Sequence, residues 1–319
     1  MKVLVTGGAG FIGSYLAESL LADNHQVTVV DNLSTGNQKN IAHLENNKNF
    51  NFIEDSILNY KLMLKLVTET DCIYHLAAAV GVKYVVDNPL DSLITNVRGT
   101  EILLDLAYVF KKKVFLASSS EVYGKNGNQP FKETDDRLLG AVTITRWGYA
   151  FSKGFDEFLA VAYYRDKQLP IVVGRLFNIC GPRQSPHYGM VIPRFVQQAC
   201  KNEPITVYGD GTQVRSFTYI SDTITAIRML MDEPRAEGEV FNIGNPEAIT
   251  IADLAKKIIE FSASKSEITF IPYHEAYSKD SEDMFYRVPD ISKIQNLAGF
   301  TPKLKLDEML KIIIREHRV

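Results

Sequence analysis

A chain of 319 residues, of which 45% are hydrophobic and 23% charged, has the composition of an ordinary globular protein with one large or two smaller domains. This composition excludes a disordered or collagen-like chain, and the formal net charge of −3 lacks the basic excess of nucleic-acid and membrane-surface binders. Cys72, Cys180 and Cys200 are far apart and predict buried thiols of a reducing compartment, without a disulfide or a metal site. We expect neither a signal peptide nor a membrane helix, and therefore a cytoplasmic protein.

The N-terminal segment predicts a strand, a glycine-rich turn, a helix and a second strand. Lys2–Thr6 is a β-branched run typical of a buried strand, and Gly7, Gly10 and Gly13 follow it. Residues 14–21 have helical apolar spacing, and residues 26–30 predict a strand that ends at Asp31. This order is that of a βαβ unit.

The same alternation continues along the chain. A long helix is predicted over residues 91–110, and strands are predicted at residues 51–53, 72–76, 113–117 and 170–174. Strands that alternate with helices indicate an α/β fold with a Rossmann-type, doubly wound parallel sheet, placed in a domain at 1–174. Segments rich in Gly and Pro then predict a smaller α+β domain at 175–319, and we expect residues from about 216 to 244 to rejoin the first domain.

The glycine-rich turn predicts a dinucleotide site. Such a turn at the start of a helix binds anions, because its amide groups point outward and the helix dipole is positive there. Asp31, which closes the second strand, would bond the adenosine ribose and repel a 2′-phosphate, and no basic residue follows it before Lys39. We therefore expect NAD rather than NADP. For Asp55, contact with the adenine and a helix N-cap both stay open.

Tyr149 and Lys153 predict a catalytic pair on one helix face, because they are one helical turn apart. A tyrosine is a poor base at pH 7, since its ordinary pKa is about 10, but a nearby lysine and a positive nicotinamide ring stabilise the phenolate. Such a pair can take the proton of a sugar hydroxyl while hydride leaves the same carbon. The serine-rich segment 118–121, at the end of a predicted strand, completes the pattern.

Eight segments, in order, resemble those of the extended short-chain dehydrogenase/reductases that modify nucleotide sugars. These are residues 6–13, 75–78, 95–100, 118–124, 149–153, 175–178, 181–183 and 215–222. The resemblance covers nearly the whole chain and implies an NAD-binding domain at 1–174 and a nucleotide-sugar-binding domain at 175–319. It also implies a nucleoside-diphosphate sugar as partner, a UDP-sugar above others, and a homodimer paired through the helices at 91–110 and 149–165.

The resemblance implies roles for individual residues. Tyr149 would be the acid–base, Lys153 would bond the nicotinamide ribose, and Ser119 would position the reacting sugar oxygen; Glu121 is the fourth catalytic candidate. The residues implied for NAD are Gly7, Gly10, Phe11, Ile12, Gly13, Asp31, Asn32, Asp55, Ser56, Leu76, Ala77, Ala78, Asn96 and Lys153. Those implied for the nucleotide sugar are Val82, Lys83, Ser119, Ser120, Tyr149, Asn178, Arg215 and Arg287. Arg215 would pair with the diphosphate, and Arg287 with the diphosphate or the sugar.

In this family NAD oxidises C4 of the sugar and the hydride later returns, so three reactions compete: 4-epimerisation, decarboxylation of a hexuronic acid and 4,6-dehydration. Residues 119–121 resemble UDP-glucuronate decarboxylases and GDP-mannose dehydratases, and the tail that begins at Arg287 resembles the decarboxylases. Ser120 replaces an aspartate of the dTDP-glucose dehydratases. The segment 78–84 resembles epimerases, and Glu121 has an alternative role as the cap of the next turn. We therefore expect 4-epimerisation of a UDP-sugar, with a UDP-glucuronate decarboxylase or a 4,6-dehydratase as the alternatives.

Two classes outside this group fit the residues less well. A simple NAD(P)H-dependent reductase would usually carry a basic residue in place of Asp31. A cofactor-binding regulator without turnover would have no need of Tyr149 and Lys153, and both are present.

Overall fold

The computed structural model describes residues 1–185, 190–272, 275 and 282–318, and at positions 82 and 83 it describes the backbone alone. The strands are β1 (Lys2–Thr6), β2 (Gln26–Asp31), β3 (Phe50–Glu54), β4 (Cys72–His75), β5 (Lys113–Ser119), β6 (Ile171–Leu176), β7 (Ile179–Cys180), β8 (Ile205–Tyr208), β9 (Val214–Ser216), β10 (Thr218–Tyr219), β11 (Val240–Ile243), β12 (Ala248–Thr250), β13 (Ile268–Ile271) and β14 (Tyr286–Arg287). Within the described residues, seven of them form one parallel sheet in the order β11-β6-β5-β4-β1-β2-β3.

Helices pack on both faces of this sheet, and further helices form the core of the C-terminal part. They are α1 (Phe11–Ala22), α2 (Tyr60–Thr68), α3 (Val82–Asp87), α4 (Pro89–Leu93), α5 (Gly99–Val109), α6 (Arg146–Lys167), α7 (Val191–Cys200), α8 (Ile220–Asp232), α9 (Ile251–Phe261), α10 (Ser292–Ala298) and α11 (Leu306–His317). None of the helices among the described residues has the length and apolarity to cross a bilayer.

The central strands are apolar on both faces because both faces are buried. In β1, Val3 and Val5 enter a core formed with α1, α8 and α10, whereas Leu4, between them, enters a second core formed with α2, α5 and α6. All three side chains are at most 1% exposed. A parallel sheet with helices on both sides requires this pattern, and the predicted doubly wound α/β fold is confirmed.

The C-terminal part builds its own core around short strands. Phe195, Leu254 and Leu310, from α7, α9 and α11, belong to this buried cluster. The strand pairs β8–β13, β9–β12, β9–β14 and β7–β10 lie in the same part of the chain. Strand β11, however, pairs with β6 at the edge of the large sheet. The smaller α+β part is confirmed, and the boundary at residue 174 stays a prediction.

The long helix expected over residues 91–110 is interrupted. Residues Ile94–Arg98 form a π-helical segment between α4 and α5. Asn96, within it, is buried, and its side chain accepts a hydrogen bond from the Ala79 amide at 2.7 Å. A contact between residues so far apart in sequence is invisible to helical periodicity. Strands β5 and β6 also extend further at their carboxyl ends than expected, to Ser119 and Leu176.

Candidate active site

A cavity of about 820 Å³ opens at the carboxyl ends of the sheet strands. Its walls come from the segments that follow β1, β2, β4, β5 and β6, and from α7, β9 and β14 of the C-terminal part. Ligands of open parallel sheets bind at this edge, where successive strands place their loops side by side. The volume is in the upper part of the range of small-molecule sites.

The glycine turn after β1 brings only main chain to the cavity. Gly7 has a φ of +71°, a conformation that favours glycine, and a Cβ on it would lie 2.7 Å from the Ala77 nitrogen. Gly13 packs so closely against the Gly7 carbonyl that any Cβ there would collide with it. The turn and the first turn of α1 can therefore approach an anion with backbone amides, as a pyrophosphate requires.

Asp31, at the end of β2, lines the cavity and is 9% exposed. Its Oδ2 accepts a hydrogen bond from the Ala9 amide at 3.0 Å, and its Oδ1 accepts one from the Leu33 amide at 2.8 Å. Burial raises the pKa of Asp31, although these backbone bonds act in the opposite direction. Each carboxylate oxygen has a further acceptor position, so the group can also receive hydroxyl donors from the cavity.

Asp55, Ser56 and Asn96 hold the loops beside the cavity. Asp55 lines it, and its carboxylate accepts hydrogen bonds from the Ser56 amide at 2.6 Å and from Asn59 Nδ2 at 2.9 Å. Asn96 lies behind the segment that contains Ala77 and bonds Ser152 Oγ at 3.2 Å. Ser56 and Asn96 do not line the cavity. Both would act on a ligand through the loops that they support.

Helix α6 places Tyr149 and Lys153 in the cavity wall. The Tyr149 hydroxyl is hydrogen-bonded to the side chain of Ser119, at the end of β5. Burial, and then the negative charge of Glu121, raise the pKa of Tyr149 well above its ordinary value. The phenol is therefore neutral here, and a positive charge bound beside it would favour the phenolate. Lys153 Nζ lies 3.4 Å from Asp156 Oδ2.

Glu121 lies in an arginine cluster, defined as Arg146, Arg215 and Arg287 with the carboxylates of Glu121 and Asp283. Arg146 is 3.2 Å from Glu121 Oε2, and Arg287 forms an ion pair with Oε1. Asp283 is 3.0 Å from Arg146 and 2.9 Å from Arg215. Burial by itself would raise the pKa of Glu121, but the charges of Arg146, Arg287 and Arg215 lower it to about 2. The Glu121 carboxylate is therefore ionised at neutral pH.

The turn after β5 is capped by a residue other than Glu121. Residues Ser120–Tyr123 form a 3₁₀ turn whose N-cap is Ser119, and the Ser119 hydroxyl accepts a hydrogen bond from the Glu121 amide at 3.2 Å. The capping role that the sequence left open for the Glu121 side chain is thus filled by Ser119. Ser120 lines the cavity, and its buried Oγ has no hydrogen-bond partner within the described part of the chain.

Two residues of the arginine cluster, Arg146 and Asp283, were missed by the sequence analysis. Arg146 occupies the first turn of α6, three residues before Tyr149, a spacing that puts both side chains on one helix face. From that spacing in the sequence, Arg146 could have been predicted as a site residue. Asp283 belongs to an irregular C-terminal segment, so only tertiary structure reveals its contact with Arg215.

Most residues predicted for the cofactor or the substrate line the one cavity. They are Gly7, Gly10, Phe11, Ile12, Gly13, Asp31, Asn32, Asp55, Leu76, Ala77, Ala78, Ser119, Ser120, Glu121, Tyr149, Lys153, Asn178, Arg215 and Arg287. Val82 and Lys83 begin α3, and their side chains lie outside the described residues. Arg183, in one of the segments that carry the family resemblance, lines the cavity as well.

Known proteins match this chain from end to end. The profile of the GDP-mannose 4,6 dehydratase family matches residues 4–313. A UDP-N-acetyl-alpha-D-glucosaminuronate decarboxylase of Bacillus cytotoxicus is 42% identical over 318 residues, which cover 99% of this chain and 98% of that protein. UDP-glucuronic acid decarboxylase 4 of Arabidopsis thaliana is 37% identical over 321 residues, which cover 100% of this chain and 69% of that protein. The crystal structure of UDP-glucuronic acid 4-epimerase from Bacillus cereus, in complex with UDP-glucuronic acid and NAD, has a TM-score of 0.90 at 31% identity, with 100% of this chain and 99% of that chain covered.

Proposed function

The chain belongs to the GDP-mannose 4,6-dehydratase family. We propose that it decarboxylates a UDP-linked hexuronic acid, the class of reaction that its relatives at 42% and 37% identity are named for. The resemblance to NAD-dependent nucleotide-sugar enzymes is confirmed, and the protein is an enzyme of that class. The expected preference for 4-epimerisation is not favoured by the relatives, since those at 42% and 37% identity are decarboxylases, the alternative that the sequence analysis stated. A 4-epimerase stays the second candidate because one shares the fold at a TM-score of 0.90.

The residues around the glycine turn fit NAD. Main chain alone faces the space at Gly7 and Gly13, where a Cβ would collide, and the Asp31 carboxylate stands at the end of β2 for the ribose hydroxyls. The negative charge of Asp31 disfavours a 2′-phosphate. Lys153, which also lines the cavity, would bond the nicotinamide ribose. The chemistry that NAD supplies here is reversible acceptance of hydride from C4 of the sugar.

Tyr149 would take the proton of the sugar 4-hydroxyl, with Ser119 holding the same oxygen in line. The positive charges of Lys153 and of the nicotinamide favour the phenolate and offset the burial that raises the pKa of Tyr149. Once C4 is a ketone, the C6 carboxylate belongs to a β-keto acid. The bond from C5 to C6 breaks, carbon dioxide leaves, and the electron pair moves toward the C4 oxygen. Tyr149 can return its proton there, and it takes that proton back as C5 takes up a proton from water, so that the C4 ketone is restored.

The observation that carries this proposal is the arginine cluster beside Tyr149. The cluster has three guanidinium groups against two carboxylates, so it retains one positive charge before a substrate binds. A UDP-hexuronate brings a diphosphate and one carboxylate, and guanidinium groups bind both. We assign Arg215 and Arg287 to the diphosphate and Arg146 to the C6 carboxylate, since Arg146 and Tyr149 share a helix face. Glu121, ionised at neutral pH, would orient Arg146 and Arg287 rather than donate a proton.

A substrate panel tests the proposed function. The purified enzyme is incubated with UDP-glucuronate, UDP-N-acetylglucosaminuronate, UDP-glucose, UDP-N-acetylglucosamine and dTDP-glucose, and the products are identified by NMR and mass spectrometry. We expect one or both uronates to lose carbon dioxide and become the UDP-pentose. Inversion at C4 with the carboxylate retained would establish the epimerase instead, and turnover of dTDP-glucose alone would establish a dehydratase.

Variants of Arg146 test the assignment of the carboxylate. Arg146→Met should raise the KM for the uronate about 10- to 100-fold, because a charge-assisted bidentate contact is lost, while the affinity for UDP itself changes little. Arg146→Lys should recover part of the loss. Arg235→Met, at a guanidinium whose side chain is 69% exposed, is the matched control. Equal losses of affinity for UDP and for the uronate would remove Arg146 from this role.

We also propose that the enzyme is a homodimer formed through α6. Phe151, Phe155 and Phe158 are 61%, 42% and 71% exposed, and their spacing places them along one side of the helix. A row of three large exposed aromatic side chains is unusual for a monomer surface. A second copy of the same helix, related by a two-fold axis, would cover them in a self-complementary interface.

A further inference from the structure

Lys153 and Asp156 form a buried ion pair one turn apart on α6. The two residues are 2% and 0% exposed, and Lys153 Nζ lies 3.4 Å from Asp156 Oδ2. The polar groups closest to this carboxylate are the Lys153 ammonium and the Thr100 hydroxyl. Burying a carboxylate costs free energy even when it is paired, so packing by itself gives no reason for an acid at this position.

The polar groups that face the pair from neighbouring elements are neutral. His75, on β4, lies between the hydroxyls of Thr6 and Thr100, at 2.7 and 3.2 Å. Burial, and then the charge of Lys153, lower the pKa of His75 to about 3, so its ring carries no charge at neutral pH. Thr100, on α5, stabilises the ionised form of the Asp156 carboxylate.

The remaining charged groups near the pair are on α6 and on the elements packed against Glu157. Glu157, the next residue, forms ion pairs with Arg175 of β6, at 2.8 Å, and with Arg137. Tyr149 lies one turn before Lys153; burial is the main reason that its pKa is raised, and the negative charge of Asp156 adds to it. Asp156 therefore acts on the catalytic pair in two ways, as the counter-ion of the lysine and as a charge that opposes ionisation of the phenol.

We propose that Asp156 is a positioning residue that holds the Lys153 ammonium in the cavity wall and sets how strongly its positive charge acts on the Tyr149 hydroxyl. This rests on the proposed function, in which Tyr149 is the base. While Asp156 is ionised, the ammonium is fixed but partly neutralised; when Asp156 is protonated, the full charge acts on the phenol. Burial raises the pKa of Asp156 to about 6, with Lys153 opposing, so the change occurs close to neutral pH.

The pH dependence of turnover tests the proposal. Asp156→Asn keeps the shape of the side chain and removes its negative charge, which lowers the pKa of Tyr149. We expect the acid limb of the kcat/KM profile for the accepted uronate, which reports ionisation of Tyr149, to move to lower pH by about one unit. Asp166→Asn, near the exposed end of α6, should leave both limbs in place. If Asp156→Asn lowers the maximum of kcat/KM but leaves the limbs at their wild-type pH, the proposal is overturned, because a packing defect alone lowers kcat/KM equally at every pH.

A charge-conserving variant and a measurement without turnover complete the test. Asp156→Glu should keep the limbs of the wild-type profile even where its maximum falls. In ¹³C NMR of the lysine ε-methylene groups at neutral pH, with the Lys153 signal assigned from Lys153→Arg, the Lys153 signal should move in Asp156→Asn, because the ammonium loses the carboxylate that holds it. An unchanged Lys153 signal contradicts the proposal. Should Asp156→Asn not fold, Asp156→Ser carries the same two measurements. If the wild type turns over no nucleotide sugar, the proposed function fails while the Lys153 signal still decides the role of Asp156.

Discussion

Replacing Glu121 by glutamine removes one negative charge from the arginine cluster and leaves the size of the side chain unchanged. The cluster lowers the pKa of Glu121 from 4.5 to about 2, against the opposing effect of burial. At about 1.36 kcal/mol per pKa unit, the folded protein favours the ionised carboxylate by a free energy on the order of 3 kcal/mol. The same attraction between Glu121 and the guanidinium groups holds Arg146 and Arg287 in place. If all of it is lost from the transition state, kcat falls by roughly 100- to 300-fold.

We expect a decrease of about 30- to 300-fold for Glu121→Gln, since the side chain is 13% exposed and solvent screens part of the interaction. The assay follows release of carbon dioxide from the accepted UDP-hexuronate, with bound NAD quantified by absorbance in the same samples. Glu203→Gln, on the surface, is the control. A variant that keeps more than about one third of wild-type turnover would refute the reasoning. Such a mild effect is also the result expected of a 4-epimerase that acts on a neutral sugar, in which no carboxylate has to be oriented.

Three further predictions follow from the site and the surface. Tyr149→Phe should retain bound NAD by absorbance and lose turnover in the NMR assay; measurable turnover would remove Tyr149 as the base. Burial lowers the pKa of His75 from 6.5 to about 3, so the unfolded chain binds a proton over that range that the folded protein does not. Above about pH 6.5 this histidine does not reduce the free energy of unfolding. Below that pH the free energy of unfolding declines as the pH falls, by up to about 4–5 kcal/mol. Denaturant unfolding as a function of pH should show this slope in the wild type and a smaller one in His75→Asn; equal slopes would contradict the assignment. Phe155→Glu should convert a dimer to a monomer in light scattering, and a wild-type monomer would reject the proposed interface.

The fold was predictable because its signals are local. A strand buried on both faces has to be apolar throughout, and β1, β4 and β5 are such runs in the sequence. The break in the helix expected over residues 91–110 was not predictable. It depends on Asn96 reaching the Ala79 amide, a contact between segments whose relative position only the folded sheet determines.

The residues of the site also divide into those with local signals in the sequence and those that only the folded chain brings together. The glycine turn and the pair of Tyr149 and Lys153 were predictable because each lies within a few residues of sequence, where helix and turn geometry determine which groups meet. Asp283 was not, since it meets Arg215 from 68 positions further along the chain. Asp156 is an intermediate case. Its spacing from Lys153 is local, but its burial, on which its effect depends, is a property of the packed helix.

From the sequence, the choice between epimerase and decarboxylase depended on the role of the Glu121 side chain, and the structure shows which groups that side chain contacts. An acid that only caps a turn would be compatible with either reaction. Ser119 provides the cap, and the Glu121 carboxylate instead contacts Arg146 and Arg287. The cluster has a function in either reaction, because both substrates bring a diphosphate for Arg215 and Arg287, and a uronate epimerase would also use Arg146 to hold the C6 carboxylate. The two reactions differ in what happens to that carboxylate, which an epimerase retains and a decarboxylase releases as a neutral molecule. The fate of the carboxylate held beside Tyr149, read from the product of the accepted uronate, therefore decides between them.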